Sequence, residues 1–159
     1  MNNLNVGFAR VDVTPCLGIP LSGYFVDRFA DGILDNLEIN AVALNSGEDT
    51  VIFLSVDNLG IPMSIWLDMR KAISEATGIC EENLIVSSTH THTGPEVSGN
   101  DEQVVKYREL LGKKAADAAK LAIDDLKPAK MGWNIAKAPN VAFVRRFIMK
   151  DGSVRTNPG

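Results

Sequence analysis

Both histidines of the chain, His90 and His92, stand one residue apart in Ser87-Ser88-Thr89-His90-Thr91-His92-Thr93-Gly94-Pro95, at the end of an apolar run. Imidazoles at i and i+2 on an extended backbone point to the same side. Such a pair can set one or both nitrogens on a single metal ion, or one on a metal and the other on a substrate. Histidine also titrates nearest neutrality, so the pair can carry protons. Finding both histidines inside one Thr/Ser/Gly/Pro-rich turn favours chemistry over incidental solvated side chains.

The elements on either side are those needed to hold such a turn. Val6 to Val13 reads as a first strand, ended by Thr14-Pro15. A long ordered loop follows to Asp35, punctuated by Gly18, Pro20, Gly23 and Gly32; loops of that length inside compact domains are often functional. Leu37 to Leu44 and Thr50 to Val56 predict a hairpin across Ser46-Gly47-Glu48-Asp49. Val51-Ile52-Phe53-Leu54 is continuously apolar, the pattern of a strand buried on both faces. After Gly60, with Pro62 in the first turn, Ile65/Trp66, Met69, Ala72/Ile73 and Ala76 recur at helical spacing, and Gly78 is a natural stop. Leu84-Ile85-Val86 predicts another buried strand, leading straight into the histidines. Strand, helix, strand implies a right-handed parallel crossover, so both strand ends share one sheet edge, Asp57 on one and the histidines on the other. Ligands of open α/β sheets bind at that edge. Asp101 to Leu126 predicts a long helix closed by Pro128, with Asp101 and Glu102 at its positive end. Lys130 to Ala136 and Val141 to Met149 predict two further strands, the second turning at Lys150-Asp151-Gly152-Ser153.

With 159 residues, 45% of them hydrophobic and 23% charged, the chain has the profile of one globular domain with a real core, 1–159. A net charge of −4 argues against a broad nucleic-acid footprint. Acids dominate between Asp27 and Asp57 and bases between Lys130 and Arg155, which reads first as solvated faces. Cys16 and Cys80 lie far apart without a CxxC, leaving two buried thiols or one disulfide open. No apolar stretch is long enough to span a membrane, and the start lacks a signal-peptide pattern.

The residues also resemble a known family. Gly7-Phe8-Ala9-Arg10-Val11-Asp12-Val13-Thr14-Pro15, then Gly18-Ile19-Pro20 and Gly23-Tyr24, are similar to the opening of the neutral/alkaline (non-lysosomal) ceramidases. Ile33-Leu34-Asp35-Asn36-Leu37, Ser55-Val56-Asp57, Thr77-Gly78 and Glu82-Asn83 continue the likeness in order, and Thr89-His90-Thr91-His92-Thr93-Gly94-Pro95 is its most specific element. The resemblance implies an α/β domain with mixed sheets and a zinc-dependent amidase that cleaves N-acylsphingosine into sphingosine and fatty acid. It implies His90 as zinc ligand and His92 as the catalytic residue beside the substrate. Zinc would polarise the amide carbonyl and bring a bound water toward a pKa of about 7. Arg145 is the best match to a family arginine that contacts substrate, although Val144 replaces the preceding asparagine and Arg146 is an alternative. Asp57 is similar to a family aspartate, but capping the next turn or holding a loop explains it as well. Asp12 and Tyr24 match too, as residues shaping the loop.

Catalytic zinc takes three protein ligands, and the family's other ligands fall beyond Gly159. The expectation is an N-terminal piece of a larger catalytic domain, inactive alone, with open sheet edges that invite homo-oligomers. Its partner would be a lipid-like N-acyl amide, with a secreted or periplasmic parent as one option for location. Alternatives are a relative acting on another amide or another bond, and a non-catalytic binding domain that ignores metal.

Overall fold

The structure is a computed structural model that describes residues 4–139 and 141–158. Residues 1–3, on which the reading of the start rests, lie outside it, as does Gly159. Its frame is a mixed five-stranded sheet in the order β4-β3-β2-β1-β5. β1 (Leu4–Asp12), β2 (Glu38–Ser46) and β3 (Asp49–Val56) form an antiparallel meander. The tight connection between β2 and β3 places Gly47 at φ 70°, a conformation glycine adopts without a Cβ penalty. β4 (Leu84–Ser88) pairs parallel to β3, with Ile52 opposite Leu84 and Val56 opposite Ser88. β5 is the two-residue Lys127–Pro128, paired to β1.

α1 (Met63–Thr77) makes the crossover from β3 to β4, and its register follows from the apolar spacing. Ile65, Met69 and Ile73 are buried, while Gly78 ends the helix in the left-handed conformation at φ 73°. α2 (Glu102–Asp124) opens on Asp101, whose side chain accepts from the Gln103 amide, and buries Val104, Tyr107, Leu111, Ala115, Ala118, Ala119 and Ala122. The alanines let the helix lie close on the sheet. A Cβ added at Gly7 on β1 would stand 1.9 Å from the Ala122 carbonyl oxygen. The Tyr107 hydroxyl donates to the Val13 carbonyl oxygen at 2.8 Å, and burial pushes its ionisation up.

Both helices cover the same side of the sheet. The expected two-sided burial of Val51–Leu54 and of Leu84-Ile85-Val86 is therefore only half right. Ile52, Leu54 and Leu84 are buried, but Phe53 is 41% and Ile85 45% exposed. Register explains this, since alternate residues of one strand face opposite layers. Phe8, Val42, Phe53 and Ile85 stand opposite one another across β1, β2, β3 and β4 and so share the uncovered face.

Two further expectations change beyond α2. Lys130 to Ala136 forms no strand, and of Val141 to Met149 only β6 (Arg146–Ile148) does, pairing with β7 (Val154–Thr156) in a separate two-stranded sheet. Residues that favour strands still need a neighbour to pair with, and among the described residues β6 pairs with β7 alone. The turn at Lys150-Asp151-Gly152-Ser153 is present, with Gly152 at φ 81°. Cys16 and Cys80 are free thiols and both exposed, so neither expected state holds.

Candidate functional site

β3 and β4 end side by side, and the chain leaving each of them builds the site. The two exits are tied together, because the amides of Thr89 and His90 donate to the carbonyls of Val56 and Asn58, each at 3.0 Å. Asn58 is the buried polar residue at the centre of this junction. Its side-chain amide donates to the Pro95 carbonyl at 3.1 Å, and its side-chain oxygen accepts from the Gly60 amide at 3.1 Å.

His90 and His92 do come together, with ring centroids 5.1 Å apart and planes at 89°. The cause differs from the extended backbone inferred from the sequence. β4 stops at Ser88, and His90 adopts a left-handed φ of 64°. For a residue with a Cβ this conformation costs of order 1–3 kcal/mol and persists only where the surroundings enforce it. His90 is held by its own amide and by its ring. Its Nδ1 lies 2.8 Å from the Leu59 carbonyl oxygen. His92 Nδ1 lies 2.8 Å from the Gly23 carbonyl oxygen. A carbonyl oxygen only accepts, so each Nδ1 carries the hydrogen and each neutral ring keeps its Nε2 lone pair for another partner. Ligating histidines are oriented in the same way, through the ring nitrogen that does not face the metal.

The long loop between β1 and β2 supplies the second wall. Its amide and carbonyl groups form a short hairpin across Gly18 and Ala30 and across Leu21 and Arg28. This hairpin is bonded to the histidine turn, with the Ser22 amide donating to Gly94 at 3.0 Å and the Glu96 amide to Pro20 at 2.8 Å. The Ser22 hydroxyl donates to Glu96 at 3.0 Å. Glu96 also accepts from the Ser98 hydroxyl and from the amides of Val97 and Ser98. The bond from the Ser98 hydroxyl, ahead of those from its amide, Ser22 and Val97, holds this carboxyl below the usual range. Gly23 sits at φ 100°, and a Cβ there would meet His92 Nδ1 at 2.7 Å. Tyr24 stands edge-on to His92 at 6.0 Å, with the Arg28 guanidinium 4.1 Å over its ring.

Two depressions adjoin these groups. One of about 380 Å³ runs between Ser22, Gly23, Tyr24, Arg28 and Glu96. The other, about 730 Å³, is lined by Asp57, Thr91 and Thr93 together with the apolar Leu17, Leu21 and Leu34. Asp57 plays the loop-holding part, its carboxylate accepting from the Glu38 amide at 3.0 Å. Asp12 accepts from the Thr14 amide and the Asn36 side chain, both at 2.7 Å. Arg145 is not brought to the histidines. It precedes β6, is exposed, lines neither depression and pairs with no described carboxylate. Gly23, Asn58, Leu59 and Glu96 escaped the sequence reading as site-builders. Three of them act through backbone or as buried struts, which leaves no chemical signature; only Glu96, directly after Pro95, could have been suspected.

Among the described residues no group of three or more His, Cys, Asp and Glu side chains is placed to hold a metal ion. The two histidines fit a metal by their free Nε2 atoms, and are fewer than the three ligands of a catalytic zinc.

No family model matches the chain. Its fold is similar to that in a crystal structure of neutral ceramidase from Pseudomonas aeruginosa, with a TM-score of 0.70 and 18% identity over 80% of this chain. A ceramidase complexed with C2 matches with the same values. The chain spans 22% of the length of each of those chains. The fold is thus ceramidase-like: a mixed sheet with a parallel crossover, as the sequence implies.

Proposed function

We propose that the chain carries part of the active site of a ceramidase-like, zinc-dependent amide hydrolase, with His90 as a metal ligand and His92 as the catalytic residue beside the substrate. The carrying observation is that both rings are fixed through Nδ1 to backbone carbonyls, which leaves both Nε2 atoms available at a strand-end edge. When bound, zinc polarises a carbonyl and acidifies water. His92 receives a hydrogen bond or a proton at Nε2, and Gly23 keeps its ring from turning. Tyr24 screens the outer side of that ring. The preferred substrate is an N-acyl lipid amide such as N-acylsphingosine; a relative acting on a different amide is the second reading. Arg145 is assigned to substrate contact on the sequence resemblance alone.

One ligand, or two if both rings bind, gives only a fraction of the roughly 10–16 kcal/mol of a complete structural zinc site, so the isolated 159 residues bind zinc weakly and turn over nothing. Zinc titration followed by NMR should shift the backbone amide resonances of the histidine turn, Thr89 to Thr93, once metal is in excess, and His90→Ala should abolish the response. Identical responses in both proteins would overturn His90 as a ligand. Measurable hydrolysis of N-acyl amides by the isolated chain would overturn its incompleteness.

A further inference from the structure

Asn58 is 1% exposed, and both ends of its side-chain amide are engaged. The Gly60 N–H is a donor and requires the oxygen; the Pro95 carbonyl is an acceptor and requires the nitrogen; each bond is 3.1 Å. The oxygen thus closes a turn onto the amide two residues along, a local bond for which asparagine is well suited. The peptide group held in this way is the one between Leu59 and Gly60. Its N–H faces Asn58, and its C=O accepts from the His90 ring at Nδ1, 2.8 Å away. A trans peptide group is planar with its N–H and C=O opposed, so a side chain that fixes the direction of one fixes the other.

We propose that Asn58 is the positioning residue for His90. Through this one peptide group its side-chain oxygen sets which ring nitrogen of His90 carries the hydrogen, and so keeps Nε2 as the nitrogen offered to a metal ion. The link is short and lies wholly inside the junction. The main chain of Asn58 holds the same histidine, its carbonyl accepting from the His90 amide at 3.0 Å. The nitrogen end of the side chain ties the far side of the histidine turn at Pro95, and a Cβ added at Gly94 would stand 3.2 Å from Asn58 Cα. A leucine at this position would leave the Gly60 amide and the Pro95 carbonyl without these partners, and an aspartate would set an oxygen against the Pro95 carbonyl; a buried polar group left unpaired is costly. His92 is oriented by a different device, the Gly23 carbonyl on the hairpin. It therefore serves as an internal control. The proposal rests on the reading of His90 as a metal ligand for its purpose, but the orientation it describes needs no metal.

Asn58→Ala and Asn58→Ser test it as a pair. Both lose the bond to Pro95 and open similar space, and they differ by one hydroxyl oxygen, which accepts from an amide two residues along more weakly than asparagine does. Proton–nitrogen correlation spectra of the imidazole rings, recorded above the pH at which histidines titrate, report the tautomer of each ring. The wild type should carry the hydrogen on Nδ1 in both. Asn58→Ala should move the ratio of Nδ1–H to Nε2–H at His90 about fivefold or more toward Nε2–H and leave His92 as it was, and Asn58→Ser should recover part of that change. An unaltered His90 in Asn58→Ala, an equal change at His92, or the same change in both variants would each overturn the proposal. Should neither variant fold, the wild type decides by hydrogen exchange. The Gly60 amide should exchange about tenfold or more slowly than in an unstructured chain, and exchange at the unstructured rate would overturn its bond to Asn58. A tautomer that depends on Asn58 in a chain with no zinc response would remove the metal-ligand reading and leave the positioning. A zinc response with a tautomer indifferent to Asn58 would do the reverse.

Discussion

At the residue scale, the two imidazoles owe their arrangement to carbonyl groups of residues with no reactive side chain. Leu59 and Gly23 decide which ring nitrogen carries the hydrogen, and Gly23 must be glycine both for its φ and for the space His92 fills. Glu96 bonds the hairpin to the histidine turn, and its acidity makes that join sensitive to pH. A carboxyl whose folded pKa lies below its unfolded value stabilises the protein above the unfolded pKa and loses that contribution as pH falls through the folded one. The stability of the wild type should therefore fall as the pH drops through and below the ordinary carboxylate range, and Glu96→Gln should flatten the part of that fall due to this group. Thermal melts of both proteins across that range check it; parallel curves would remove Glu96 from the account. The histidines were legible from spacing because their residue types are rare and chemically distinctive. Their common direction was inferred from an extended backbone, whereas a left-handed His90 produces it, and backbone strain of that kind has no sequence signature outside glycine and asparagine.

At the scale of elements, the contact of α2 with β1 leaves no room for even one added methyl group. A methyl group at Gly7 would meet helix backbone, which has no rotamer to change. Gly7→Ala should lower stability by about 2 kcal/mol or more, toward the upper end of overpacking costs, measured as a shift of the urea midpoint. A change under about 0.5 kcal/mol would mean that the helix moves freely on the strand. The crossover and the long helix were readable because a 3.6-residue apolar period over fifteen or twenty-three residues admits one reading. The short apolar runs were less informative. Val51–Leu54 looks like a strand buried on both faces, and only the placement of both helices on one side reveals that Phe53 faces outward. The apolar residues from Lys130 onward promised strands and gave a three-residue ladder, since pairing is a property of two segments.

For the whole molecule, the uncovered row of Phe8, Val42, Phe53 and Ile85 is a contiguous apolar surface beside the free edge of β4. Surfaces of this kind associate. We expect light scattering to show concentration-dependent oligomers that Phe53→Lys suppresses; a monomer at every concentration tested would contradict this. The chemistry of the site also has a place in time. The bonds that give His92 its orientation join residues 69 and 74 positions apart in the chain. Bringing such distant segments together carries a loop-closure entropy that the meander, built from near neighbours, has in smaller measure. On that ground we expect the β1–β3 meander to form before His92 is aligned, and the orientation of that ring to be lost early on partial unfolding; hydrogen exchange that protects the Ser22 amide as strongly as those of the meander would contradict this.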